Sequence, residues 1–163
     1  MSTALNAADN HQIKVDYIEG ARIAIVVADW SSKYTYALLD GAQSAFAEAG
    51  YSDGQIDVYH VPGTVELTFA AQQLVKNRLA GAVIVIGCVI RGDTPHFDYV
   101  CQSVTQGVTM LNATGDVPVV FGVLTVDTEK QAVERCGGSL GNKGIEYADC
   151  AVKMMKIICE IKK

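Results

Sequence analysis

VIVIGCVIRGDTPHFDYV, residues 83–100, is the stretch from which the rest of the chain can be read. The apolar run 82–90 is rich in Val and Ile, a composition suited to a strand buried on both faces of a parallel sheet. It gives way abruptly to Arg91, Gly92, Asp93, Thr94, Pro95 and His96, and a helical pattern begins at Phe97. In open parallel sheets ligands settle beyond the carboxyl ends of strands, where helix N-termini point backbone N–H groups at anions. The loop offers a glycine for close approach, a hydroxyl, a cation and an imidazole. The plainer alternative is an ordinary turn, with Pro95 in the first helical turn and His96 at the surface.

Outward from this stretch the same alternation repeats. Residues 22–28, RIAIVVA, form a first strand that ends in Asp29, Trp30, Ser31 and Ser32. Residues 33–49 follow as a helix with Leu38, Leu39, Ala42, Ala45 and Phe46 on one face and Gly50 as its stop. A second strand is expected over 55–61 and a helix over 64–76, with Thr64 as its cap and Leu67, Ala71, Leu74 and Val75 facing inward. After the central strand come a helix over 97–113 and a fourth buried strand over 117–124, where Pro118 is tolerable near the start or at a sheet edge. A polar turn at 125–128 leads into a short helix over 128–135, broken by Gly137 and Gly138. A last helix buries Ala148, Ala151, Val152, Met155, Ile158 and Cys159. Alternating strands and helices call for an α/β fold, a four-stranded parallel sheet in a three-layer α/β/α, flavodoxin-like arrangement. Residues 1–20 read as an N-terminal arm, with a short extended segment around residues 13–15, and residues 21–163 as a single domain.

Composition narrows the function. Half the residues are hydrophobic and 19% are charged, which excludes a disordered chain. A net charge of −5 without a Lys/Arg cluster argues against a nucleic-acid binder, so any anionic ligand must meet local positive charge. Cys88, Cys101, Cys136, Cys150 and Cys159 include no C-x-x-C pair and are expected to be buried, reduced thiols. No apolar run is long enough to span a bilayer, and the start of the chain lacks a signal core, so a soluble cytoplasmic protein is expected. No nucleophile elbow, dinucleotide fingerprint, P-loop or metal-ligand cluster is visible. An enzyme built on the strand ends would therefore work by positioning and proton transfer, with no cofactor and no metal.

Four segments, VPGTVEL (61–67), GCVIRGDTPHFDYV (87–100), FGVLTVDTEKQAVER (121–135) and GNKG (141–144), stand in order at spacings that resemble the lumazine synthase family of riboflavin biosynthesis. The resemblance covers nearly everything from about residue 20 onward. It implies condensation of 5-amino-6-(D-ribitylamino)uracil with 3,4-dihydroxy-2-butanone 4-phosphate, releasing phosphate and two waters. By the same resemblance His96 is the proton-transfer residue, suited to both giving and taking a proton near neutrality. Gly92, Asp93 and Thr94 fall at the phosphate loop, and Asp93 is expected to turn its carboxylate outward. Arg135 matches a second phosphate clamp, where a guanidinium can pair bidentately, and Lys143 falls on the phosphate side. Trp30 matches the aromatic that stacks on the pyrimidine, followed by Ser31. Thr64, Val65 and Glu66 match the segment holding the uracil and ribityl groups, and Cys88, Val89 and Ile90 the stretch that meets the uracil edge with main-chain groups. Phe121 matches an aromatic reaching in from a neighbouring subunit, although on its own it reads as core.

Two departures stand out: Asp29 and Ser31 replace the Arg and Asn frequent around the aromatic, and Thr64-Val65 replaces the common Ala-Phe. The resemblance further implies a homo-oligomeric pentamer. The short link GGSLGNKG, similar to that of shell-forming members, leans toward a 60-subunit icosahedral shell. The N-terminal arm could add a strand to the adjacent sheet, and riboflavin synthase is a possible partner. The rival expectation is a flavin-binding or shell-forming structural protein without turnover.

Overall fold

A computed structural model describes residues 13–163. Strands β1 (Ile23–Ala28), β2 (Ile56–Val61), β3 (Ala82–Ile90) and β4 (Val119–Val126) form one sheet in the order β2-β1-β3-β4. All three pairings are parallel. The chain leaves β1 toward one edge, returns and crosses to β3, so the topological switch lies between β1 and β3. Ligands of open α/β sheets bind at that point.

Both faces of the sheet are covered. Ile23, Ile25 and Val27 of β1 and Ile84, Ile86 and Cys88 of β3 pack beneath helices α1 (Ser32–Ala49) and α5 (Lys143–Ile161). Ala24, Val26 and Ala28, with Val83 and Val85, face α2 (Leu67–Lys76) and α3 (His96–Thr114). This two-sided burial is why β1 and β3 are continuous apolar runs without polar alternation. Each fully buried Ile or Leu is worth roughly 1.5–3 kcal/mol. The α/β/α, flavodoxin-like fold expected from the strand-helix alternation is the one found.

Several boundaries differ, each for a local reason. Helix α2 begins at Leu67, three residues later than expected, and Thr64 does not cap it. Thr64 is instead buried over Gly87 of β3, where a Cβ would lie 2.9 Å from its Oγ1. Residues 53–55 take a tight 3₁₀ turn, so β2 starts at Ile56. β4 is displaced to Val119–Val126 because Pro118 precedes the ladder and offers its carbonyl to Val83 N at 2.9 Å. Thr125 thus belongs to the strand and not to the turn. Helix α4 (Glu129–Arg135) is capped by Thr128, as its sequence suggests, but the glycines after it form a small antiparallel pair, β5 (Cys136–Gly138) and β6 (Gly141–Asn142). In α5 the inward face ends at Met155: Ile158 is half-buried and Cys159 exposed. The thiols are likewise less buried than expected, since only Cys88 is fully enclosed.

Of the arm, residues 1–12 lie outside the described residues. The extended segment expected around residues 13–15 pairs with no strand, yet Val15 is buried. The Tyr51 hydroxyl accepts from Ile18 N at 3.1 Å and donates to the Asp16 carbonyl at 3.2 Å, and Lys156 pairs with the Asp16 carboxylate.

Candidate active site

The β1–β3 register ends at Val27↔Ile86, whereas β3 runs on to Ile90 with only β4 beside it. Cys88, Val89 and Ile90 therefore pass beyond β1 with one side of their backbone facing the crevice at the switch point. This is the geometry by which main-chain N–H and C=O groups can read a flat polar edge. The Cys88 thiol is buried and its pKa is pushed up to about 12 by desolvation, so it is inert as a nucleophile at neutral pH.

Trp30 stands just past β1 with its side chain 70% exposed, so it is not a core tryptophan. Its ring lies over Gly63: a Cβ there would sit 2.6 Å from Cε3 of the indole and 3.0 Å from Oε2 of Glu66. Trp30, Gly63 and Glu66 thus converge on one side of the crevice. Backbone bonds fix the approach, with Asp29 N–H donating to Val61 O at 2.8 Å and Trp30 N–H to Pro62 O at 3.0 Å. Ser31, next in line, has φ +62°, a left-handed conformation uncommon for a non-glycine residue. Its carbonyl accepts from Tyr34 N and Thr35 N, and the buried Thr35 hydroxyl donates to Ala28 O at 2.7 Å, tying α1 to the strand end. Val65 and Glu66 are exposed, and Glu66 occupies the N-cap position of α2 without a side-chain capping bond.

The loop after β3 carries Gly92, Asp93, Thr94 and His96, all exposed, and His96 is the first residue of α3. Pro95 is its N-cap, with its carbonyl accepting from Asp98 N at 3.0 Å. The cation of this loop, Arg91, is already committed. Its guanidinium donates to Asp127 at 2.9 Å and Asp98 at 3.2 Å and lies 4.0 Å from the Phe97 ring centroid. Arg91 thereby staples the loop to the turn after β4 and to α3. Arg91 N–H also donates to Val126 O.

Phe121, Arg135 and Lys143 are somewhere else. They line a groove of about 830 Å³ along the outer edge of β4, together with Tyr147, Cys150 and Met154 of α5; Trp30, Thr64, Glu66 and His96 do not line it. Although it reads as core from its neighbours, Phe121 is 38% exposed because β4 is an edge strand. Arg135 donates from Nη1 to Gln131 O at 2.9 Å, and Lys143 pairs with Glu146 at 2.5 Å. Burial pushes the Tyr147 hydroxyl pKa upward, keeping it neutral in the groove. Within one chain Phe121, Arg135 and Lys143 therefore share the β4 edge, while the other candidate residues lie at or just beyond the carboxyl ends of β1, β2 and β3.

The residue pattern did not reveal one cluster. Asp29 Oδ1 accepts from the Tyr36 hydroxyl at 2.9 Å and bonds His60 Nδ1 at 2.8 Å, bridging β1, α1 and β2. These two bonds, His60 first, hold the Asp29 carboxyl below its ordinary range. Only the parallel register, which sets His60 opposite Val27, brings the three together. Among the described residues no group of three or more His, Cys, Asp or Glu is placed to hold a metal ion, and no helix is long and apolar enough to cross a membrane.

Comparison with known proteins agrees with the four segments. A family profile described as 6,7-dimethyl-8-ribityllumazine synthase matches residues 20–158. Among curated relatives of that name, the Bacteroides fragilis protein is 51% identical over 87% of this chain and 99% of its own length. The Phocaeicola vulgatus protein is 48% identical over 100% of this chain and 98% of its own, and that of Porphyromonas gingivalis 52% identical over 94% and 96%. With a profile spanning most of its length and relatives near 50% identity end to end, the chain belongs to the 6,7-dimethyl-8-ribityllumazine synthase family.

Proposed function

We propose that the protein condenses 5-amino-6-(D-ribitylamino)uracil with 3,4-dihydroxy-2-butanone 4-phosphate to 6,7-dimethyl-8-ribityllumazine, with loss of phosphate and two waters. Beyond family membership, one observation supports this: Trp30 and Glu66 meet over Gly63 past the ends of β1 and β2, and β3 runs on past β1 into the loop that precedes His96. In this reading the pyrimidine stacks on Trp30, its polar edge meets the backbone of Cys88, Val89 and Ile90, and Thr64, Val65 and Glu66 receive the ribityl chain. A carboxylate accepts several hydroxyl donors at once, which suits Glu66 to that role. The phosphate rests on Gly92, Asp93 and Thr94. His96, beside that loop, moves protons during imine formation and phosphate departure, assistance typically worth about 10²–10⁴ in rate.

Phe121, Arg135 and Lys143 serve a neighbour's crevice in a ring of identical chains. Their placement in the β4 groove, away from the crevice of the same chain, supports this sharing. Arg135 then clamps phosphate across the interface. Lys143, paired with Glu146 in the single chain, has further N–H donors with which to join it. The ring is a pentamer, and the short α4–α5 link favours the 60-subunit shell. We further infer riboflavin synthase as a partner and a cytoplasmic location.

Mixing both substrates and following phosphate release with lumazine absorbance tests the activity. Turnover that falls at least tenfold in His96→Ala is expected, whereas a silent wild-type protein points to flavin binding or a purely structural shell. Light scattering tests the assembly: sixty chains of 17.4 kDa give about 1 MDa, against about 87 kDa for five.

A further inference from the structure

We propose that Asp29 is a positioning residue for Trp30: held by His60 and Tyr36, its carboxylate sets the indole as a fixed platform for the pyrimidine. For its consequence on substrate, this rests on the reading that Trp30 receives that ring.

The argument starts from a mechanical difficulty. Trp30 is 70% exposed and so has little packing of its own to hold it. It is followed directly by Ser31 in the left-handed region, where an L residue without glycine's freedom is strained. A large aromatic beside a strained, solvent-exposed turn should swing, and a swinging ring makes a poor stacking surface because its ordering must be supplied when ligand binds. The chain meets this difficulty from the other side of Trp30. Asp29 N–H and Trp30 N–H extend the β1–β2 pairing past the strand ends, onto Val61 O and Pro62 O. The Asp29 side chain then takes the Tyr36 hydroxyl from α1 and the His60 ring from β2 on the same oxygen, Oδ1. The two donors also brace each other, their rings meeting edge to face at 5.5 Å between centroids. Hydrogen bonds to an ionised carboxylate are stronger and more directional than neutral ones. One side chain thus joins three elements immediately before the platform, opposite the strained residue immediately after it. Gly63 completes the seat from below.

Trp30 is the chain's single tryptophan, so fluorescence excited at the red edge of the indole band, where tyrosine does not absorb, reports on this platform. In the assembled protein, Asp29→Ala is expected to enlarge the fast component of the Trp30 anisotropy decay. It should also raise KM for the pyrimidine substrate roughly fivefold to tenfold, a part of the stacking contribution. Turnover number and KM for the phosphate substrate should stay within about twofold, since neither His96 nor the phosphate loop touches Asp29. Asp29→Asn keeps an oxygen for Tyr36 and His60 and should return both readouts most of the way to wild type. Tyr36→Phe removes one donor and should give the same changes at smaller size, which keeps the test alive if Asp29→Ala folds poorly. An anisotropy decay unchanged in Asp29→Ala and Tyr36→Phe overturns the proposal. So does a mobile indole with unchanged pyrimidine KM. If the wild type shows no turnover, the enzymatic reading fails by itself, and the brace is judged on the anisotropy alone.

Discussion

Gly63→Ala offers the sharpest test of the crevice geometry. The φ of Gly63 is not in the left-handed region, so alanine is conformationally acceptable and the effect is steric. The new Cβ would stand 2.6 Å and 2.9 Å from two indole carbons of Trp30, too close to persist, and 3.0 Å from the Glu66 carboxylate, which must give by a few tenths of an ångström. The indole must yield, and because it is 70% exposed it can turn outward without disturbing the core. Stacking of an aromatic on a base contributes about 1–3 kcal/mol. At 1.4 kcal/mol per factor of ten, losing most of it raises the pyrimidine KM about fivefold to a hundredfold. Glu66 is pushed by the same methyl group, which adds to the loss for the ribityl chain. The melting temperature should move by no more than ~2 °C, since no buried contact is lost. Gly87→Ala contrasts with it in stability: its Cβ would meet Thr64 Oγ1 at 2.9 Å and Leu67 at 3.1 Å inside the core, where overpacking costs roughly 1–3 kcal/mol. Steady-state kinetics with each substrate varied, plus Trp emission spectra, decide the matter. A Gly63→Ala protein with wild-type pyrimidine KM and an unshifted emission maximum would refute the seat described for Trp30.

Further outcomes follow from the other elements. At low concentrations of the phosphate substrate His96→Ala and Arg135→Ala should each be slow, yet subunits of the two mixed through denaturation and refolding should regain part of the activity; no recovery would place both groups in one chain's site. Arg135→Ala should raise KM for the phosphate substrate by about tenfold or more, consistent with a charge-assisted pair, while leaving the pyrimidine KM unchanged. The Glu129 carboxyl is held below its ordinary value by Lys33, at 2.7 Å, and by the Tyr34 hydroxyl. Its contribution is therefore complete above the unfolded-state pKa and is lost as pH falls through the lower folded-state one, so Glu129→Gln should flatten acid denaturation below about pH 4.5. Alkylation of the native protein at pH 8 should leave Cys88 unmodified and slow Cys136, whose pKa burial lifts to about 11; rapid labelling of Cys88 would show that β3 opens.

Much of this architecture was legible in the residues because burial on both faces imposes its own pattern. β1 and β3 read as strands from Val and Ile alone, and Gly50 ends α1 in the left-handed conformation expected of it. What pattern could not carry was lateral. Phe121 reads as core because its neighbours along the chain are apolar, and only the strand order shows that β4 lies at the edge. Thr64 carries a capping residue's chemistry, but the short crossover from β2 draws it into the space over Gly87. Arg91 looks like a free cation in a phosphate loop until the turns after β3 and β4 bring Asp127 alongside. The Asp29 cluster joins positions 29, 36 and 60, a spacing that no local periodicity encodes.

The position of β4 at the sheet edge has a consequence for how such a chain can be used. In the ring proposed above, the Arg135 guanidinium and the Phe121 ring would complete a neighbour's site, so a solitary subunit would lack part of its own. Dilution should then act as an inhibitor, with specific activity declining once the concentration drops below that at which rings hold together. Substitutions along that border would be selected twice over, for cohesion and for turnover, with no way to trade one against the other.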